Sequence, residues 1–150
     1  MNASLLRIAI NCWPPLLGAG IRVRHISADF RAVRVVLKMG LLNRNYVGTH
    51  FGGSLFAMTD PFYMLMLLHN LGKDYIVWDQ AARITFIKPG RGAVGCEFRL
   101  DQSLLDAIRS ATASGQKHLQ DFAIDIRDAQ GEVVASVMKT LYIRQKQVKA

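Results

Sequence analysis

Between Arg44 and Lys73 the only formally charged side chain is Asp60, and around it runs the longest apolar stretch of the chain, Leu55 to Leu68. A run of this length exceeds a strand, and with no polar face it reads as a helix that is stable only when covered on every side. Gly72 supplies a C-terminal stop. The run is interrupted by Asp60-Pro61 and falls short of the roughly 20 residues that a bilayer span needs, so the expected cover is protein and no membrane span is expected.

The flanking sequence can provide that cover. Ile21 to Ile26 and Arg31 to Met39 alternate apolar and polar residues with period two, as half-buried strands do, and form a first hairpin. Tyr75 to Lys88 reads as a long strand closed by Pro89-Gly90. In Ala93 to Leu100, Val94, Cys96, Phe98 and Leu100 share one face. A short amphipathic helix is expected from Asp101 to about Ala113, with an Asp or Ser cap and a stop near Gly115. His118 to Arg127 and Glu132 to Arg144 flank the turn Asp128 to Gly131 and make a terminal hairpin. Ahead of all of these, Ser4 to Cys12 reads as a packing helix. The first twenty residues lack a basic start and are broken by Arg7, Asn11 and Pro14-Pro15, unlike a secretory signal.

With 150 residues, 51% of them hydrophobic, the chain can bury a core without disulfides or metals. Residues 1–150 are expected to form a single domain, because no repeat, low-complexity segment or linker divides them. The element order predicts an α+β protein of the hotdog fold, an antiparallel sheet wrapped around a long central helix. Cys12 and Cys96 stand in neither a CxxC nor a Cys/His ligand spacing, so both are expected to be buried thiols in a reducing, cytoplasmic setting, and no metal or other cofactor is implied. The formal charge of +8 would attract an anionic partner, but the basic residues are scattered and the only dense run is the tail Arg144 to Lys149. No nucleic-acid reading motif accompanies the charge, so no nucleic-acid partner is expected.

Asp60 admits two readings. An Asp-Pro pair can simply cap a break in the helix, since Pro61 cannot donate a hydrogen bond to Ala57. Alternatively, a lone carboxylate in apolar surroundings is expensive unless it has a task, and its pKa should rise if desolvation dominates. The loop Asn45 to Gly53 bears on the choice. Its glycines let backbone approach a ligand, and free amides at a helix start favour an oxygen bearing negative charge. Phe56, Met58, Phe62, Tyr63, Met64 and Met66 either pack the core or line an acyl tunnel. Trp78 and Asp79 are unusual strand residues to which the sequence assigns no role.

Asn45-x-x-Gly48-Thr49-x-x-Gly52-Gly53, with Asp60 seven residues beyond Gly53, resembles the signature of the PaaI-like hotdog acyl-CoA thioesterases. The likeness continues through Ala82 to Gly92 and Gly131 to Ser136, and is closest to a branch without assigned substrates. It implies that Asp60 is the nucleophile or general base, that the Gly52 amide polarises the thioester carbonyl, and that Asn45 orients water or thioester. Thr49, His50, Phe51 and Gly53 would border the substrate. Independently of the likeness, Lys88 and Arg91 in Lys-Pro-Gly-Arg-Gly leave the same strand end beside glycines that allow close backbone approach, so they either meet the phosphates of an acyl-CoA or belong to an ordinary solvated hairpin. The chain departs from the family at Phe51, which stands where a His is usual, with His50 one place earlier.

Eight residues separate Gly52 from Asp60. On one continuous helix they would lie about 12 Å apart, too far to act on one carbonyl. A homodimer, or a dimer of dimers, is therefore expected, with each site shared between subunits. The expected activity is hydrolysis of acyl-CoA or acyl-carrier thioesters. A non-catalytic acyl or acyl-CoA binding module on the same fold is the alternative.

Overall fold

The computed structural model describes residues 2–147. Helix α1 (Ala3–Cys12) starts at Asn2, whose side chain accepts from the Leu5 amide at 2.9 Å. A short helix not expected from the sequence, α2 (Pro14–Ala19), follows directly. Its two prolines occupy the first helical positions, where an amide would have no intrahelical partner in any case, so the pair that breaks α1 also starts α2. Strands β1 (Ile21–Ile26) and β2 (Ala32–Lys38) form the first hairpin. The central helical segment comes next, followed by β3 (Tyr75–Phe86), β4 (Ala93–Arg99), α5 (Gln102–Thr112), β5 (Lys117–Asp128) and β6 (Val133–Gln145).

The six strands make one antiparallel sheet in the order β1-β2-β4-β5-β6-β3. Period-two alternation places Val33, Val35 and Leu37, then Val94, Cys96 and Phe98, then Phe122, Ile124 and Ile126 in the core. The sheet wraps the central helical segment as expected. Phe62 and Tyr63 pack on Phe98 with ring centroids 5.0 and 5.2 Å apart, and Tyr63 stacks on Phe122 at 3.9 Å. Met58, Phe62, Tyr63 and Met66 are buried, so the core reading holds for these four. Burying each such side chain stabilises the fold by about 1.5–3 kcal/mol.

The central helix is in two pieces, α3 (Gly52–Ala57) and α4 (Phe62–Leu71). Pro61 has no N–H for the Ala57 carbonyl, which accepts instead from the Asp60 amide at 3.1 Å, while Phe56 accepts from Thr59 at 3.0 Å. These tighter bonds end α3 one turn before α4 begins. Gly52 and Asp60 therefore do not share one helix, and rise per residue no longer measures their separation.

The two sheet edges differ. On β1, the Asn11 side chain of α1 accepts from the Val23 amide at 2.8 Å and donates to the Val23 carbonyl at 3.1 Å, so a helix closes that edge. β3 is a 12-residue edge strand with no neighbouring strand on its outer side among the described residues. It exposes Trp78 and Phe86, followed by Ile87, and Trp78 stacks on Tyr142 of β6 at 4.3 Å.

Of the two cysteines expected to be buried, Cys96 is, and its burial pushes the thiol well above its usual range. Cys12 is exposed, because α1 turns Ala3, Leu6 and Ile10 inward and ends with Cys12 on its outer side.

Candidate active site

The loop before α3 closes on itself through Asn45. Its carbonyl oxygen accepts from the amides of Val47 (3.1 Å) and Thr49 (2.9 Å), and its amide nitrogen donates to Thr49 Oγ1 (2.8 Å) and the His50 carbonyl (3.4 Å). Asn and Asp favour such loops because their short side chains bond backbone a few residues on. Here every Asn45 side-chain bond goes to the loop.

His50 and Phe51 point in opposite directions, as neighbours in extended backbone do. His50 is buried and its Nε2 lies 3.0 Å from the Gly92 carbonyl. A carbonyl only accepts, so Nε2 carries the proton and Nδ1 is an acceptor, with no partner among the described residues. Burial holds the imidazole below its usual pKa. Phe51 is 58% exposed.

Gly52 and Gly53 open α3, and their amides have no acceptor among the described residues. A Cβ at Gly52 would lie 2.9 Å from the tip of the Phe86 ring, so a larger residue at this position would have to displace that exposed side chain at the end of β3. Together these segments border a cavity of about 400 Å³ lined by Asn45, Thr49, His50, Gly52, Leu55 and Lys88, among others.

Lys88 and Arg91 are both beside this loop, but each has a partner within the chain. Lys88 pairs with Asp128 at 2.7 Å and with Glu132, and these carboxylates raise its pKa. Arg91 donates to the Gly48 carbonyl at 3.1 Å and remains exposed.

Asp60 differs from expectation. Its carboxylate is not desolvated: the side chain is 62% exposed in the single chain. The break at Pro61 turns it away from the core, and it does not line the cavity beside Gly52. The buried charge is instead Lys139 of β6, whose side chain is 1% exposed. Lys139 donates to Asp60 Oδ1 at 3.3 Å, to the Asp60 carbonyl, and to Asp79 Oδ2 at 2.9 Å. Burial raises the Asp79 pKa, opposed by the hydrogen bond from Lys139. Thr59, buried next to Asp60, donates to the Phe56 carbonyl at 2.8 Å, a local helical bond. Sequence reasoning singled out Asp79 without assigning a role and passed over Lys139. The signal was present in Val137-Met138-Lys139-Thr140-Leu141, where period two puts a lysine on the same face as two core residues.

Among the described residues, no group of three or more His, Cys, Asp or Glu is arranged to hold a metal ion. None of the helices among these residues is long and apolar enough to cross a membrane.

The antiparallel sheet and the helix it encloses define a hotdog-fold protein, and solved structures of that fold superpose on it. A Pseudomonas aeruginosa protein described as a probable thioesterase matches at TM-score 0.82, with 21% identity over 95% of each chain. A Haemophilus influenzae thioesterase matches at TM-score 0.70, with 14% identity over 97% of this chain and 92% of that one. The Escherichia coli PaaI protein of a phenylacetic acid degradation operon matches at TM-score 0.63, with 14% identity over 96% and 94%. The chain belongs to the family described as a domain of unknown function, DUF4442, whose pattern spans residues 2–143. Against curated proteins the sequence finds no match.

Proposed function

We propose that this chain hydrolyses acyl-CoA or acyl-carrier thioesters in the cytoplasm, at sites shared between the subunits of a homodimer or a dimer of dimers. The observation that carries the reading is the separation of two complementary half-sites. Among the described residues, the Gly52 amide has no partner and the cavity beside it has no carboxylate in its lining, while Asp60 presents a carboxylate outward from the helix break. A two-fold partner can bring one to the other. The open β3 edge, with exposed Leu41, Leu42, Tyr46 and Val47 in the loop before α3, supports such assembly. The thioesterase descriptions of the P. aeruginosa and H. influenzae proteins agree with the reading.

In the general-base route, the Gly52 amide polarises the thioester carbonyl and a water oxygen forms the new bond to its carbon, while Asp60 takes the water proton. The tetrahedral oxyanion then collapses with cleavage of the C–S bond. The proton passes to the departing thiolate, giving a carboxylic acid and a thiol. In the nucleophilic route an Asp60 carboxylate oxygen attacks the carbonyl carbon and the C–S bond breaks, releasing the thiolate. Water then hydrolyses the resulting anhydride, restoring the Asp60 carboxylate, with one water proton going to the thiolate and the other staying on the released carboxylic acid. Thr49, His50, Phe51 and Gly53 border the acyl group, and Arg91, the less committed of the two cations, meets the phosphates of CoA.

A second reading, a non-catalytic acyl-binding module, is favoured by one observation: the side-chain bonds of Asn45 are spent on its own loop. A panel of acyl-CoA thioesters with a free-thiol readout separates the two, because tight binding without thiol release identifies the module. Complementation then tests the shared site. Asp60→Asn and Asn45→Ala chains, unfolded and refolded together, form mixed dimers with one intact and one doubly altered site. About a quarter of wild-type activity returns under random pairing. No recovery above the activity of the two variants alone, in confirmed mixed dimers, would place both residues in one chain's site.

A further inference from the structure

Lys139 is the only formally charged side chain buried among the described residues. It occupies an inward position of β6, between Val137 and Leu141, where an apolar residue would avoid the cost of desolvating an ammonium. An ammonium has three donors, and the three acceptors here are the Asp60 carbonyl, Asp60 Oδ1 and Asp79 Oδ2. Asp79 comes from β3, whose pairing with β6 shifts register between Asp79 and Ala81. A bulge of this kind re-aims side chains near it, here beside the buried lysine.

We infer that Lys139 is a positioning residue for Asp60, fixing both the main chain and one carboxylate oxygen of that residue so that Oδ2 is the reactive oxygen. The inference rests on the hydrolytic reading above, which supplies the task for Asp60. Three features of the geometry support it. Pro61 leaves the Asp60 carbonyl outside both helices, free for Lys139 to hold. Asp60 is exposed enough that an unanchored side chain would sample several rotamers. Oδ1 is taken by the ammonium at 3.3 Å, whereas Oδ2 has no partner among the described residues. Asp79 fills the third donor and helps neutralise the lysine, so the cation is anchored from the sheet side and directed at the helix break. The competing account is that Lys139 merely serves as counter-ion to Asp79.

The test uses the full-length protein and the paired variant Lys139→Met/Asp79→Asn, which removes the cation without leaving Asp79 as an uncompensated buried anion. Positioning predicts a fall in kcat on the order of tenfold or more with KM within about twofold, while Tm stays near wild type. It also predicts that the Asp60 side chain, followed by NMR through the three-bond couplings of its β-hydrogens, goes from one rotamer in the wild type to an average over several in the paired variant. This second readout needs no turnover. Wild-type kcat together with a single Asp60 rotamer in the paired variant overturns the inference, and if Asp60→Asn still abolishes turnover the hydrolytic reading survives it. A wild-type protein that cleaves no thioester defeats that reading, and the NMR comparison then decides alone whether Lys139 governs Asp60.

Discussion

Residues 43–52 and residues 58–61 both border the central helix, yet the first segment is tied to itself and its neighbouring loops while the second is held from the sheet. In the loop, Asn43 bonds to Ala19, Lys38 and Gly40, and Asn45 bonds to Val47, Thr49 and His50. At the break, Asp60 is gripped by a lysine 79 residues further along the chain. The first arrangement can set backbone amides in place, which is what carbonyl polarisation needs. The second fixes a charge, which is what proton transfer or nucleophilic attack needs. The difference separates architecture from chemistry within one proposed site.

Substitutions can break this division. The largest effect is expected for Asp60→Asn, which should lower kcat at least about a hundredfold, because base or nucleophilic assistance is typically worth that much. Its Tm should change little, since the side chain is largely exposed. Steady-state kinetics on a cleaved thioester beside a melting curve checks both, and near-normal kcat would remove Asp60 from the chemistry.

Asn45→Ala should show a mixed pattern: a fall in kcat/KM of about tenfold or more and a loss of stability of about 1–3 kcal/mol, because the buried Thr49 loses partners for both its amide and its hydroxyl. A variant with unchanged Tm would contradict the architectural role.

The smallest effect is expected at His50. Its folded pKa is depressed by burial, so the unfolded chain takes up a proton that the folded one refuses as pH falls below about 6.5. Stability from this group is complete above that pH and is lost downward toward the lowered folded pKa. In His50→Gln, denaturant midpoints between pH 7 and 5 should fall less steeply than in wild type. Parallel slopes would mean that His50 is not held neutral.

How much of this was legible in the sequence follows from which interactions are local. Alternation in Val94, Cys96, Phe98 and Leu100 specified a buried strand face, and every strand expected from such patterns is present. Asp-Pro offered a break, and the break is there; a continuous apolar run masked it because composition does not register a missing amide. The exposure of Asp60 was hidden for the same reason, since apolar neighbours in sequence are not its neighbours in space. Lys139 lies 79 residues from Asp60 and 60 from Asp79. Strand pairing, not spacing, brings that cluster together, and the bulge that aims Asp79 has no local sequence mark.

The stack of Trp78 on Tyr142 has an optical consequence. The chain has only two tryptophans, and they sit toward opposite margins of the sheet. Trp13 stands at the joint of α1 and α2, the helices beside β1, while Trp78 lies on β3 immediately before Asp79 with its ring nearly parallel to Tyr142, 7° between planes. Each residue is 47% exposed, so each responds to whatever covers it. A chain whose Trp13 is replaced by Phe would have its tryptophan emission from the β3 margin alone, turning that emission into a local reporter of the strand that carries Asp79.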